Sequence, residues 1–147
     1  MEGFQFQKRP MSTICGKEYE CDPTNTDLIE GMMRDFPRIA VLSEKLQSLK
    51  EKMLTATENY NAKEVEKYTQ QAFRLNKELL EACRDFIFGT VGEKEYQEIF
   101  SGRKPNSVDH IQLCTYIFRY ITEGRLQVLQ PYLDPPEVNP DAVPKIT

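Results

Sequence analysis

The residues best suited to chemistry in this 147-residue chain are four cysteines, Cys15, Cys21, Cys83 and Cys114, and a single histidine, His110. His110 and Cys114 stand four apart, so on a helix they share a face, and with Cys15 and Cys21 they would make a nitrogen and sulfur set of the kind that holds zinc. Spacing argues against that set. The gap from Cys15 to Cys21 is wider than in a zinc knuckle, and two ligands would have to leave a packed helix. Dispersed thiols with no CxxC pair, in a chain large enough to fold without a staple, read instead as free and mostly buried. As a general base His110 has no serine or cysteine nucleophile placed beside it in sequence, and it reads as a histidine on a helix surface. Neither a catalytic site, a cofactor nor a metal is expected, and the protein reads as a non-enzyme.

Composition narrows the partners. Lys and Arg total 19 against 23 Asp and Glu, a net charge of −4, with no long block of one sign to draw a polyanion. Apolar runs fall far short of the roughly 20 residues that cross a bilayer, and no signal-peptide apolar region opens the chain. Nucleic acid and membrane are disfavoured as partners, and the expected location is the cytoplasm.

The elements that position these residues follow from apolar spacing. Phe4 and Phe6 alternate with glutamines, and MSTICGKEYECD places Gly16 between two short extended segments, as in a β-hairpin. From TNTD onward the pattern is helical. Leu28, Met32, Ile39, Leu42, Leu46, Leu49 and Met53 form one stripe, with Pro37 predicting a kink or a restart near Asp35. After a break at TATENYNA, Val65, Tyr68, Ala72, Leu75, Leu79, Ala82 and Phe86 form a second stripe, so the two make an antiparallel helical hairpin. The predicted fold is mainly α: a domain over 1–124 with an extended N-terminal region at 1–23, a long helical hairpin and two further helices, then an extended Pro-rich tail over 125–147.

The stretch FIFGTVGEKEYQEIFSGRKPN, from Phe86, joins the hairpin to the last helix. Gly89 is expected to end the second helix through a left-handed backbone, with Thr90 and Glu93 as a capping box, Gly92 in the turn, and Gly102 closing a short helix over EKEYQEIF. Pro105 then blocks continuation, and Ser107 caps a last helix that buries Val108, Ile111, Cys114, Phe118 and Ile121 and ends at Gly124. As a DNA-reading helix it would lack Arg, Lys, Asn or Gln near its start and would aim Asp109 at phosphate.

The order of these features resembles the small tail assembly chaperones of long-tailed bacteriophages and of phage-like elements of Gram-positive bacteria. The GKEYE hairpin is similar to that family's opening strand pair. DFIFGTVGEKEYQEIFSGRKPN resembles its run of a helix ending in IFG followed by a short helix ending in IFGGR and an Asn, and SVDHIQLCTYIFRYI takes the place of its last helix. The likeness covers roughly Ser12 to Glu123; Phe4 to Pro10 extends the usual start, and Ser101 stands where glycine is common. It implies a protein that keeps a tape-measure protein soluble until tail tube subunits polymerise around it, in some members also made as a longer frameshifted form. Phe88, Tyr96 and Phe100 are then the expected protein-interaction residues and Gly89, Gly92 and Gly102 the turn formers. A structural adaptor retained in the tail, using its N-terminal strands to extend a neighbour's sheet, is the alternative. Helical circular dichroism should survive a chelator and a reductant, whereas its collapse would restore the Cys15, Cys21, His110 and Cys114 metal site.

Overall fold

The computed structural model describes residues 3–6, 9–104 and 106–133, with side chains as far as Leu126. Strands β1 (Met11–Ile14) and β2 (Lys17–Glu20) pair antiparallel, Met11 opposite Glu20 and Ile14 opposite Lys17. Their turn is Cys15 and Gly16, with φ of 51° and 80°, the two left-handed residues that let a two-residue turn follow the twist of its strands. Alternation sends Ser12, Ile14, Tyr19 and Cys21 inward.

Helix α1 (Thr26–Glu58) starts where Asn25 Oδ1 accepts the Leu28 amide at 3.2 Å. Of the kink or restart expected at Pro37, the restart is absent, since one helix runs through it. The proline ring is exposed, and the Met33 carbonyl that loses its donor sits on the same solvent-facing side, so water can serve it while Met32 and Ile39 stay packed. Asp35 is therefore not a helix start but a buried mid-helix carboxylate, held by two contacts of 3.2 Å from the Arg34 guanidinium. The expected break at TATENYNA shrinks to Asn59, Tyr60 and Asn61, with Thr55 and Thr57 inside α1 and their hydroxyls satisfied by the Glu51 and Met53 carbonyls. Helix α2 (Ala62–Thr90) then returns antiparallel, with Asn61 as its cap.

The connection to the last helices differs in detail from the expectation. Gly89 lies inside α2, and the Thr90 hydroxyl donates back to the Phe86 carbonyl at 2.8 Å, so the Thr90 and Glu93 capping box does not form. Gly92, with φ 122°, takes the turn and caps α3 (Glu93–Ile99), while Gly102, with φ 75°, follows the end of that helix. Helix α4 (Ser107–Leu133) is capped by Asn106 rather than Ser107: Asn106 Oδ1 accepts the Asp109 amide at 2.7 Å. Its buried face is His110, Cys114, Ile117 and Ile121, and Val108, expected in the core, is exposed. Nor does α4 stop at Gly124. That glycine marks a close approach, since a Cβ there would lie 2.8 Å from Pro23 Cγ, and the helix continues through the good helix formers Arg125, Leu126 and Gln127 to a last turn that includes Pro131. Pro105 and the Pro-rich stretch 134–147 lie outside the described residues.

The core gathers at one end of the hairpin. Phe36 of α1 stacks on Phe118 of α4 at 3.9 Å and meets Phe86 of α2 at 5.7 Å, which ties three helices at one point. Phe86, Ile87, Leu79, Ile117 and Ile121 are fully enclosed, each burial contributing about 1.5–3 kcal/mol. Past Leu46 and Leu75 the core cluster ends, and α1 and α2 continue as a two-helix arm whose outer dozen or so residues rise about 18 Å.

Two alanine substitutions should move stability in opposite directions in denaturant titrations. Gly92→Ala should lose about 1–3 kcal/mol at a positive φ, whereas Gly89→Ala should gain about 0.5–1 kcal/mol in a helix with ordinary room for a methyl.

Candidate functional site

A helix of seven residues is unstable by itself, so α3 must be held from outside. Tyr96 provides the main anchor. Its hydroxyl lies 2.7 Å from His110 Nε2, and His110 Nδ1 lies 2.7 Å from the Asn106 carbonyl oxygen. A carbonyl only accepts, so Nδ1 carries a proton, and with burial disfavouring the charged ring Nε2 is left to accept from the tyrosine. The imidazole is neutral and satisfied at both nitrogens. Burial pushes its pKa below the ordinary 6.5; the Asn106 carbonyl and Asp109 oppose that shift, and Arg84 adds to it. The expectation of a surface histidine is thus overturned: His110 is 0% exposed, because the packed face of α4 runs through it and Tyr96 supplies the donor a buried imidazole needs.

Around this bond the three expected interaction residues come together. Phe100 stacks on His110 at 4.2 Å and 15°, Phe88 meets Tyr96 edge-on at 5.2 Å, and Tyr96 and Phe100 are 4.8 Å apart. Tyr96 is interior, while Phe88 and Phe100 are half-buried with one side toward the surface. Of the three turn glycines only Gly92 and Gly102 adopt positive φ.

The cysteines are placed differently from a metal set. Cys114 Sγ lies 3.5 Å from the Cys83 carbonyl, and the neighbouring Cys83 thiol together with burial pushes the Cys114 thiol up; burial raises Cys21 to about 11. Cys15 alone is exposed, at the hairpin turn. Among the described residues no three His, Cys, Asp or Glu side chains are grouped to hold a metal ion.

Two open apolar surfaces among the described residues bear on binding. The first is a cleft of about 300 Å³ where the hairpin turn meets α3 and α4, lined by Ile14, Cys15, Ile99, Phe100, Leu113 and Tyr116, with the Arg103 to Asp109 ion pair of 2.9 Å also in its wall. The hairpin is held over it by the outward carbonyls of β1: the Tyr116 hydroxyl donates to Thr13 O at 3.0 Å and the Tyr120 hydroxyl to Met11 O at 2.9 Å. Lys17 pairs with Glu98 of α3 on the other side. Sequence reasoning missed Tyr116 and Tyr120, yet the signal was present in YIFRY, since residues four apart on a helix and two apart on a strand advance by nearly the same distance. The second surface is a groove of about 360 Å³ on the arm, lined by Leu46, Met53, Leu54 and Ala72, with Leu54 55% exposed; Phe73, 63% exposed, lines a separate depression on α2.

Comparison with protein-family models, curated proteins and solved structures finds no match to this chain. Among the described residues no helix is long and apolar enough to cross a membrane.

A depressed His110 pKa makes the fold sensitive to acid. The unfolded chain binds the proton more readily, so this contribution is present above the unfolded pKa near 6.5 and is lost as pH falls below it toward the lower folded value. The melting temperature should therefore fall between pH 7 and 5.5, and His110→Gln should be less stable at pH 7 yet show a shallower decline over that interval.

Proposed function

We propose that this protein is a non-enzymatic binding protein of the tail assembly chaperone kind, which holds an apolar helical segment of a phage tape-measure protein in the cytoplasm of the bacterial host until tail tube subunits replace it. The observation that carries this reading is the arm, where α1 and α2 extend past the core and leave Leu54 in water on the Leu46, Met53 and Ala72 groove and Phe73 in water in a separate depression of α2. Two helices leave part of their apolar surface uncovered, and a third amphipathic helix laid along the groove would bury it. A tape-measure chain has the complementary difficulty, with long apolar helical stripes that lack cover before assembly. The order of hairpin, helical body and glycine-marked connection supports the same reading through its resemblance to that family.

Phe88 and Phe100 remain candidate contacts at the base of the molecule. Each also packs on Tyr96 or His110, so replacing either removes an internal contact as well as surface, at a cost of up to a few kcal/mol. Leu54 and Phe73 are cleaner probes.

A structural adaptor that adds a strand to a neighbour's sheet is the second reading. In β1 the outward Met11 and Thr13 carbonyls already accept tyrosine hydroxyls, which leaves β2, where exposed Glu18 and Glu20 guard the edge. That arrangement favours the chaperone over the adaptor.

Co-expression with a phage tape-measure protein tests the proposal. Wild-type protein should co-purify with it and be missing from finished tails, and Leu54→Glu with Phe73→Glu should keep its melting temperature while losing the partner. A fixed copy number in purified tails would instead establish the adaptor.

A further inference from the structure

Phe4 and Phe6 are 82% and 89% exposed, and their rings meet edge to face at 4.9 Å, so the segment ahead of the hairpin carries a two-ring apolar knob that packs on nothing else. Rings left in water in this way are surface that association would bury. The molecule also holds a place of matching character, the cleft of about 300 Å³ floored by Ile99, Phe100 and Leu113 with the ring of Tyr116 at its side. We propose that Phe4 and Phe6 of a second copy of this chain seat in that cleft, and that the exchange is mutual, giving a two-fold dimer joined through its N-terminal segments.

The knob cannot serve its own cleft. Cys21 N donates to Pro10 O at 3.0 Å and Arg9 pairs with Glu20 at 3.1 Å, so the chain ahead of β1 continues along the hairpin away from its turn. From Arg9 to Ile14 and Cys15 in the cleft wall is about 17–20 Å at ~3.3 Å per residue, whereas the three residues from Arg9 back to Phe6 span at most ~11 Å before any is spent on a turn. Charge permits a second copy to approach. Residues 3–6, GFQF, carry no charge, and the two charged residues of the cleft wall, Arg103 and Asp109, neutralise each other at 2.9 Å, so two chains of net charge −4 meet there without local repulsion. Thr13 and Gln112 in the same wall offer hydrogen-bonding groups to an entering backbone. Area decides between one exchange and two. At ~150–250 Å² for each aromatic, the four rings of a mutual exchange bury about 600–1,000 Å², and the walls they cover lose a comparable area. The total of about 1,200–2,000 Å² is that of a stable specific interface, and a one-sided exchange would supply only half of it.

Sedimentation of the purified full chain should show a dimer in the micromolar range. Phe4→Glu with Phe6→Glu should weaken self-association more than about 100-fold and leave the far-ultraviolet circular dichroism unchanged, because both rings lie outside the packed core. The chain also provides a reporter of the contact, since Cys15 lines the cleft and is exposed while Cys21, Cys83 and Cys114 are buried. With oxidised glutathione as the oxidant, the thiol introduced by Gln5→Cys should form a disulfide with Cys15, the two thiols giving up two electrons and two protons as glutathione disulfide becomes two glutathione thiols. In a mixture of ¹⁴N and ¹⁵N chains, mass spectrometry should find that bridge between chains, and Phe4→Glu with Phe6→Glu should remove it. A wild-type chain that stays monomeric, a dimer that survives the double substitution, or a bridge confined to single chains overturns the proposal. The inference stands apart from the tape-measure reading, since neither measurement involves that partner.

Discussion

The hydrogen bond between the Tyr96 hydroxyl and neutral His110 carries more of the architecture than its size suggests. A helix as short as α3 cannot persist alone, and this bond, with Phe100 stacked over the same imidazole, fixes it to α4. Once α3 is fixed, Glu98 is placed to meet Lys17, Phe88 has a ring to pack on, and the floor of the cleft exists. A buried imidazole that lost either partner would leave an unsatisfied polar group costing about 1–3 kcal/mol, so the network either forms whole or opposes folding.

A second constraint is the mismatch in length between the hairpin and what covers it. α1 and α2 have 33 and 29 residues, whereas α3, α4 and the β-hairpin pack around the end where α1 begins and α2 finishes. Inside that end the buried apolar residues form one core, with Phe36 as the contact shared by three helices. Outside it the two helices have only each other, and a two-helix ribbon cannot enclose both of its flanks. The exposed apolar residues of the arm follow from geometry rather than from a failure of patterning. The binding role proposed for such an arm would need no catalytic group.

The β-hairpin adds a different kind of restraint. Four residues per strand make a pair too small to stand alone, and it is held by tyrosine hydroxyls on one edge and an ion pair at its turn. Because β1 is occupied in this way, the hairpin acts as a roof over the cleft, and its free edge is confined to a strand carrying two exposed glutamates.

Much of this was legible in the sequence, and the reason is that local periodicity depends on few residues at a time. The stripes from Leu28 to Leu49 and from Leu79 to Phe86, the turn at Gly16 and the short helix over EKEYQEI each follow from spacing and turn chemistry within a dozen neighbours. Where helices stop was less legible, because a proline or glycine only raises the cost of continuing and the surroundings decide whether that cost is met. Pro37 faces solvent, so α1 continues; Gly89 keeps a helical φ because Gly92 takes the turn; Gly124 is small because Pro23 presses on it. The burial of His110 belongs wholly to tertiary structure, since only the meeting of Tyr96, fourteen residues earlier in the chain, with the inner face of α4 gives its imidazole an interior it can occupy without charge.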